Sequence, residues 1–375
     1  MPDTIEGLIG TRIDRLSDDD KRTVQVASVV GRTFAVDVVS EVTRRDGASH
    51  DVNASLTELT LRQLILPSGE AGTFTFTRAL TQDAAYAGML RARRRRLHWH
   101  TAEVLESAGS GTAAVLARHF DPDGVADRAV HYLELAGRRA AAVYANDEAI
   151  RFYARALELT DDPHLRFGLA EARAAIFGLL ARRDDQRADI DTMLELAETA
   201  ADPTLRVEAL RHLVSYHPAT DYLEAEGPLR EALDLATRID DRRRRGLLLR
   251  QLARFHRLQY RDPHAVEALT AALELFEEEG LDVEVARTLA ALAAAHTGAG
   301  EPADAHAVAR RAVQVAEEVG DPRVEAEARR YSVVALMGSG RHREALDDGL
   351  EALRLARRIG DQEMEVSTLN FVGAA

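Results

Sequence analysis

Five arginines fall within the six positions Arg91 to Arg96. Such a run has the charge to hold phosphates or nucleic acid. It equally suits the solvated face of a helix or a charged contact with another module, because consecutive helical residues point all round the axis. Thirteen histidines raise the question of a metal. His98 and His100, two apart on a helix, point nearly opposite ways. His212 and His217 run up to a break at Pro218. Neither pair has carboxylates at ligand spacing, so no metal site is expected. The carboxylate groups at Asp161-Asp162, Asp184-Asp185, Glu277-Glu278-Glu279 and Asp347-Asp348 read as solvated helix ends and faces. Nothing assembles a nucleophile, a base and an oxyanion-binding group. No catalytic residue, enzyme activity or cofactor is therefore expected, and Trp99 reads as a packing residue.

Composition narrows the choices further. There is no cysteine, hence no disulfide framework, thiolate metal site or cysteine nucleophile. A phosphate-binding loop ending Gly-Lys-Ser/Thr needs a lysine, and the single one, Lys21, follows three aspartates. The dominance of arginine over lysine is what GC-rich codon usage produces. No apolar run reaches the ~18–20 residues of a membrane span, and Met1 to Gly10 carries no signal peptide. The reading is a cytoplasmic chain without membrane contact. Its net charge of −14 is unevenly placed: residues 1–120 carry 15 acidic and 15 basic side chains, so the whole excess lies beyond them. An acidic surface repels phosphates, so nucleic acid is not an expected partner. Protein ligands and basic groups are.

The elements that must position these side chains show a repeat. Aspartates recur at 162, 202, 241, 282, 321 and 361, three of them followed by proline. Aspartate then proline suits a helix N-cap and first helical position. A second marker is an alanine early in a second helix, at Ala149, Ala188, Ala225, Ala265, Ala305 and Ala345. Small residues there allow two helices to cross closely.

These spacings resemble the tetratricopeptide repeat. Leu133, Gly137, Ala149, Tyr153 and Ala156 fall at its signature positions, as do Leu249, Ala253, Ala265 and Ala272, and Leu289, Ala293, Ala305 and Ala312. The unit is ~6 residues longer than the 34-residue repeat. The copy at 162–201 is degenerate, with Glu195 where a small residue is expected. The resemblance implies about six helix pairs plus the first helix of a seventh over residues 121–375. They would stack around a groove that binds a protein, a peptide or an inducer. Arg250, His256, Arg257, His296 and Arg330, on the groove helices, are the candidate ligand contacts. The last helix reaches Phe371-Val372-Gly373-Ala374-Ala375 without a polar cap, so a longer parent chain or a covering partner is expected.

Residues 1–77 read as a winged helix. Helices over 4–16, 18–30, 36–43 and 52–64 precede a hairpin formed by Leu64-Ile65-Leu66 and Thr73-Phe74-Thr75-Phe76-Thr77. A long connecting helix, about Arg78–Ser107, follows within residues 78–120. The fold class expected is mainly α: a small winged-helix domain followed by a tetratricopeptide-like α-solenoid.

The opening Pro2-Asp3-Thr4-Ile5-Glu6-Gly7-Leu8-Ile9-Gly10-Thr11-Arg12-Ile13-Asp14-Arg15-Leu16 is similar to the segment after the ATPase core in STAND-type signalling ATPases. So are Phe76-Thr77-Arg78-Ala79-Leu80-Thr81-Gln82-Asp83-Ala84-Ala85-Tyr86 and Leu90 to His98. Many of these proteins carry a nucleotide-cyclase or LuxR-type DNA-binding output. The resemblance implies an ATPase module, in the parent chain before Met1 or in trans, to which the repeats relay a signal. Where that family usually reads Phe-x-His-x-Leu, with the histidine near the nucleotide, this chain has Arg78. Arginine is always charged, so Arg78 is a candidate interdomain or nucleotide-facing contact rather than a titrating sensor. The alternative function is a DNA-binding regulator reading through the helix at 52–64, which offers Asn53, Thr57, Thr60, Arg62 and Gln63 but a single basic residue.

Overall fold

The computed structural model describes residues 5–121, 126–217 and 222–373. The expectations placed on Pro2–Thr4, on the break at Pro218 and on the final two alanines lie outside the described residues. The chain packs as two compact units, Met1–Arg182 and Arg183–Ala375.

The first unit begins with α1 (Ile5–Asp14) and α2 (Asp18–Val30), followed by β1 (Thr33–Ala35), α3 (Val36–Arg45) and α4 (Val52–Leu61). The strands β2 (Ile65–Pro67) and β3 (Thr73–Phe76) come next. Helix α2 starts where Ser17 accepts from the Asp20 N–H at 3.2 Å, with three aspartates in its first turn against the positive helix end. The sheet runs β1-β3-β2, all antiparallel, with Phe34 opposite Phe74 and Ile65 opposite Phe76. Four helices, the short strand β1 between α2 and α3, and a closing hairpin make an arrangement consistent with a small winged-helix-like domain. The sequence pattern did not reveal β1, because three residues are too few for a period of two to register. Helix α4 ends three residues earlier than expected, since Gln63 turns into the left-handed region at φ 59°. Leu56, Leu59, Leu64, Ile65 and Phe76 are fully buried, each stabilising the fold by about 1.5–3 kcal/mol.

The connector is not one long helix. It divides into α5 (Ala79–Ala87), α6 (Arg91–Ser107) and α7 (Ala113–Phe120). Gly88 is a poor helix former, and Leu90 adopts an extended backbone at ψ 143°. The break lets Met89 enter the winged-helix core and turns Tyr86 toward His98. Helices α8 (Ala126–Ala142), α9 (Asn146–Leu159) and α10 (Pro163–Leu179) complete this unit. The expected close crossing is present: a Cβ on Gly137 would lie 2.6 Å from the Tyr153 ring.

The second unit holds α11 (Arg183–Thr199), α12 (Pro203–Tyr216), α13 (Tyr222–Arg238), α14 (Arg242–Leu258) and α15 (Asp262–Glu278). It continues with α16 (Asp282–Gly298), α17 (Pro302–Val319), α18 (Pro322–Gly338), α19 (His342–Ile359) and α20 (Gln362–Val372). The chain is mainly α, with a tetratricopeptide-like solenoid. No helix among the described residues is long and apolar enough to cross a membrane.

Asp162, Asp202, Asp241 and Asp321 are N-caps whose carboxylates accept first-turn N–H groups, and Asp361 accepts from Met364 at 2.9 Å. Asp282 departs from the pattern: Leu281 is the cap and Asp282 the first helical residue, which explains the uneven spacing around it. Among the marker alanines, Ala149, Ala225, Ala265, Ala305 and Ala345 are fully buried. Ala188 is exposed, and α11 instead buries Asp189, Ile190, Met193 and Ala197. The degenerate copy is thus displaced by two residues from the register its alanine suggested, with the buried Ile190 and Ala197 standing where Ala188 and Glu195 were expected.

Candidate functional site

Arginines in this protein divide by whether their N–H donors are used. In the Arg91–Arg96 run they largely are. Arg93 donates to Gln25 Oε1 at 2.8 Å and lies 3.4 Å from Asp46. Arg96 reaches the other oxygen of the same buried carboxylate at 2.8 Å. Arg94 stacks over the Tyr86 ring, 5.1 Å from its centroid. The run is a clamp between α6 and the winged-helix domain. Trp99 packs edge-on against Phe120 at 5.5 Å.

His98 is buried rather than metal-facing. Arg118 donates to His119 Nε2 at 3.1 Å and to the Val30 carbonyl at 3.1 Å. Because a guanidinium only donates, His119 carries its proton on Nδ1 and passes it toward His98 Nδ1 at 2.9 Å. His98 Nε2 then donates to the Tyr86 hydroxyl at 3.0 Å. Burial first, then the Arg118 and Arg94 charges, pull His98 down to about 4. Burial, then His98 and Arg118, pull His119 down to about 3, with the Val30 carbonyl working weakly the other way. Both rings are neutral, and the chain ties α5, α6 and α7 to the end of α2.

The second unit carries the open site. Helix α14 presents Arg250, Arg254 and Arg257 at spacings of four and three, one face of a helix. Arg287 of α16, with Glu327 and Tyr331 of α18, closes a cavity of about 400 Å³ floored by Ala253, Leu258, Leu269 and Ala291. Arg250 bonds Glu284 at 2.5 Å. Arg287 lies 3.9 Å from Glu284 and 3.5 Å from Glu327. Arg257 lies 3.6 Å from Asp262, and its buried Nε has no hydrogen-bond partner. Arg254 is exposed. Neither hydrogen bond nor ion pair engages it among the described residues.

Of the residues picked from sequence, Arg250 and Arg257 line this cavity. Arg330 does not: its guanidinium covers the Tyr331 ring at 4.4 Å, and it faces a separate depression with Arg323 and Asp361. His256 packs against His264 at 5.4 Å, and burial, then the His264 and Arg261 charges, lower its pKa. His296 bonds Glu301 at 2.6 Å. The two histidines share a repeat position at the ends of α14 and α16, beside the turns rather than in the cavity. Ligand atoms of His296, Glu301 and Asp304 lie within 4.8 Å of one another. His212 also meets a carboxylate, contrary to the sequence expectation: Glu208, four residues before it on the same helix, stands 3.6 Å from its Nε2. Arg78 is exposed at the head of α5. Arg254, Arg287 and Tyr331 were missed by sequence reasoning, although the spacing from Arg250 to Arg254 was visible.

Residues 285–319 match the tetratricopeptide repeat family. No curated protein matches the sequence. Among solved structures, a STAND protein with a tetratricopeptide-repeat sensor from Pyrococcus horikoshii is 14% identical, with a TM-score of 0.43. That likeness covers 100% of this chain, which spans 62% of the length of that protein. A Rap protein complexed with Competence and Sporulation Factor is 12% identical, covering 80% of this chain and 91% of its own, with a TM-score of 0.50. Yeast Tom70 is 16% identical, covering 88% of this chain and 64% of its own, with a TM-score of 0.48. At these identities the likeness is one of fold.

Proposed function

We propose that this chain is a non-catalytic interaction module that binds a protein or peptide in the groove of its second unit. The winged-helix domain relays that event to a nucleotide-binding module, in the parent polypeptide or in trans, and the exposed Arg78 faces that module. The observation that carries the reading is the row Arg250, Arg254 and Arg257, with unused donors above an apolar floor. Unused N–H groups beside apolar surface are what a ligand with both polar and apolar groups requires. The fold likeness to a Rap protein that was solved with a bound factor supports it.

The DNA-binding alternative is less favoured by α4. Thr57 and Thr60 donate to the Asn53 and Leu56 carbonyls at 2.9 and 2.7 Å, and Arg62 is held by Glu58 at 2.6 Å. Hydrogen exchange of the full chain with a random-sequence peptide pool, and separately with duplex DNA, separates the readings. Slowed exchange on α14, α16 and α18 with peptide is expected. Slowed exchange on α4 with DNA, and none on the groove helices with peptide, would sink the proposal.

A further inference from the structure

The net charge of −14 points to basic ligands for the protein as a whole, yet the groove cavity has the opposite character. Four arginines and a single glutamate line it. Its inner part is internally balanced, since Glu284 lies between Arg250 and Arg287 and Glu327 lies beside Arg287. The outer part is not. Among the described residues Arg254 makes no hydrogen bond or ion pair, and the buried Nε of Arg257 makes no hydrogen bond, its nearest carboxylate, Asp262, standing 3.6 Å away. An oxygen anion held between the two guanidinium groups would form charge-assisted hydrogen bonds with them.

We infer that this cavity selects an acidic peptide, with a carboxylate side chain at Arg254 and Arg257 and a neighbouring apolar side chain against Leu258, Ala291 and the Tyr331 ring. The inference rests on the interaction-module reading and specifies its ligand. A small inorganic anion would satisfy the guanidinium groups but leave most of the 400 Å³ and the apolar floor unfilled. An acidic segment beside an apolar residue fills both, and the surrounding acidic surface penalises a ligand whose negative charge is spread rather than focused on this cavity.

The test uses the immobilised full chain and a random peptide library. The retained pool should be enriched in Asp and Glu over Asn and Gln by about tenfold, with weaker retention at higher salt. The double variant Arg254→Gln/Arg257→Gln should lose that enrichment while melting like the parent, and Arg91→Gln, at an exposed position in the other unit, should keep it. A retained pool without acidic enrichment, or one unchanged by the double variant, overturns the inference but leaves the interaction reading standing. Retention of no peptide at all removes the interaction reading as well. Displacement of the acidic pool by equimolar inorganic phosphate would also overturn it, because the cavity would then be a simple anion site.

Discussion

The two units use arginine in opposite ways. In the first, five arginines crowd into one helical turn and a half, and those that point inward are consumed by Gln25, Asp46 and the Tyr86 ring. In the second, arginines spaced four and three apart lie on one helix face, and two of them keep unused donors. Density of charge in sequence is therefore a poor guide to a site. Consecutive residues on a helix diverge, whereas residues at helical spacing converge.

Acid should break this comparison most severely. The first unit buries His98 and His119 beside the exposed Arg118, and burial and that charge pull them down to about 4 and about 3 from their ordinary 6.5. Below pH 6.5 the unfolded chain takes up protons that the folded pair refuses. Stability from this pair is complete above pH 6.5 and declines as pH falls toward about 3, by on the order of several kcal/mol. Circular dichroism with chemical denaturation across that window should show the first unit unfolding early, and His98→Gln/His119→Gln should flatten the decline.

Arg329→Met comes next. Its guanidinium joins Glu325 and Asp348, each at 2.9 Å, and Glu317, with the side chain only 15% exposed. Removing it strands partly buried carboxylates, a loss of about 3 kcal/mol. Arg254→Gln in the same unit should change stability by less than about 0.5 kcal/mol. Equal urea midpoints for the two variants would erase the distinction between structural and open arginines.

A smaller effect is expected from Asp46→Asn. It takes the shared carboxylate from Arg93 and Arg96 and should cost about 1–2 kcal/mol in a urea titration. A neutral result would mean that the run is a solvated face.

The fold was largely legible because its signals are local. Aspartate caps and small crossing residues recur at nearly even spacing, and each reports on its own turn or helix pair. What was not legible depended on contacts distant in sequence. Nothing near His98 announces His119, which reaches it from another helix. The break at Gly88 depends on where Met89 is buried. The cavity was half legible: helix spacing relates Arg250, Arg254 and Arg257, but Arg287 and Tyr331 join only once α16 and α18 pack beside α14. The acidic balance of the whole array concealed a basic cavity within it, because net charge averages over surfaces that a ligand never touches.

The most direct test is a double dissociation between Arg93→Gln and Arg254→Gln, each measured for urea midpoint and for retention of the acidic peptide pool. The account predicts that Arg93→Gln lowers the midpoint and leaves retention intact, while Arg254→Gln leaves the midpoint intact and weakens retention. Loss of retention in Arg93→Gln with none in Arg254→Gln would contradict it.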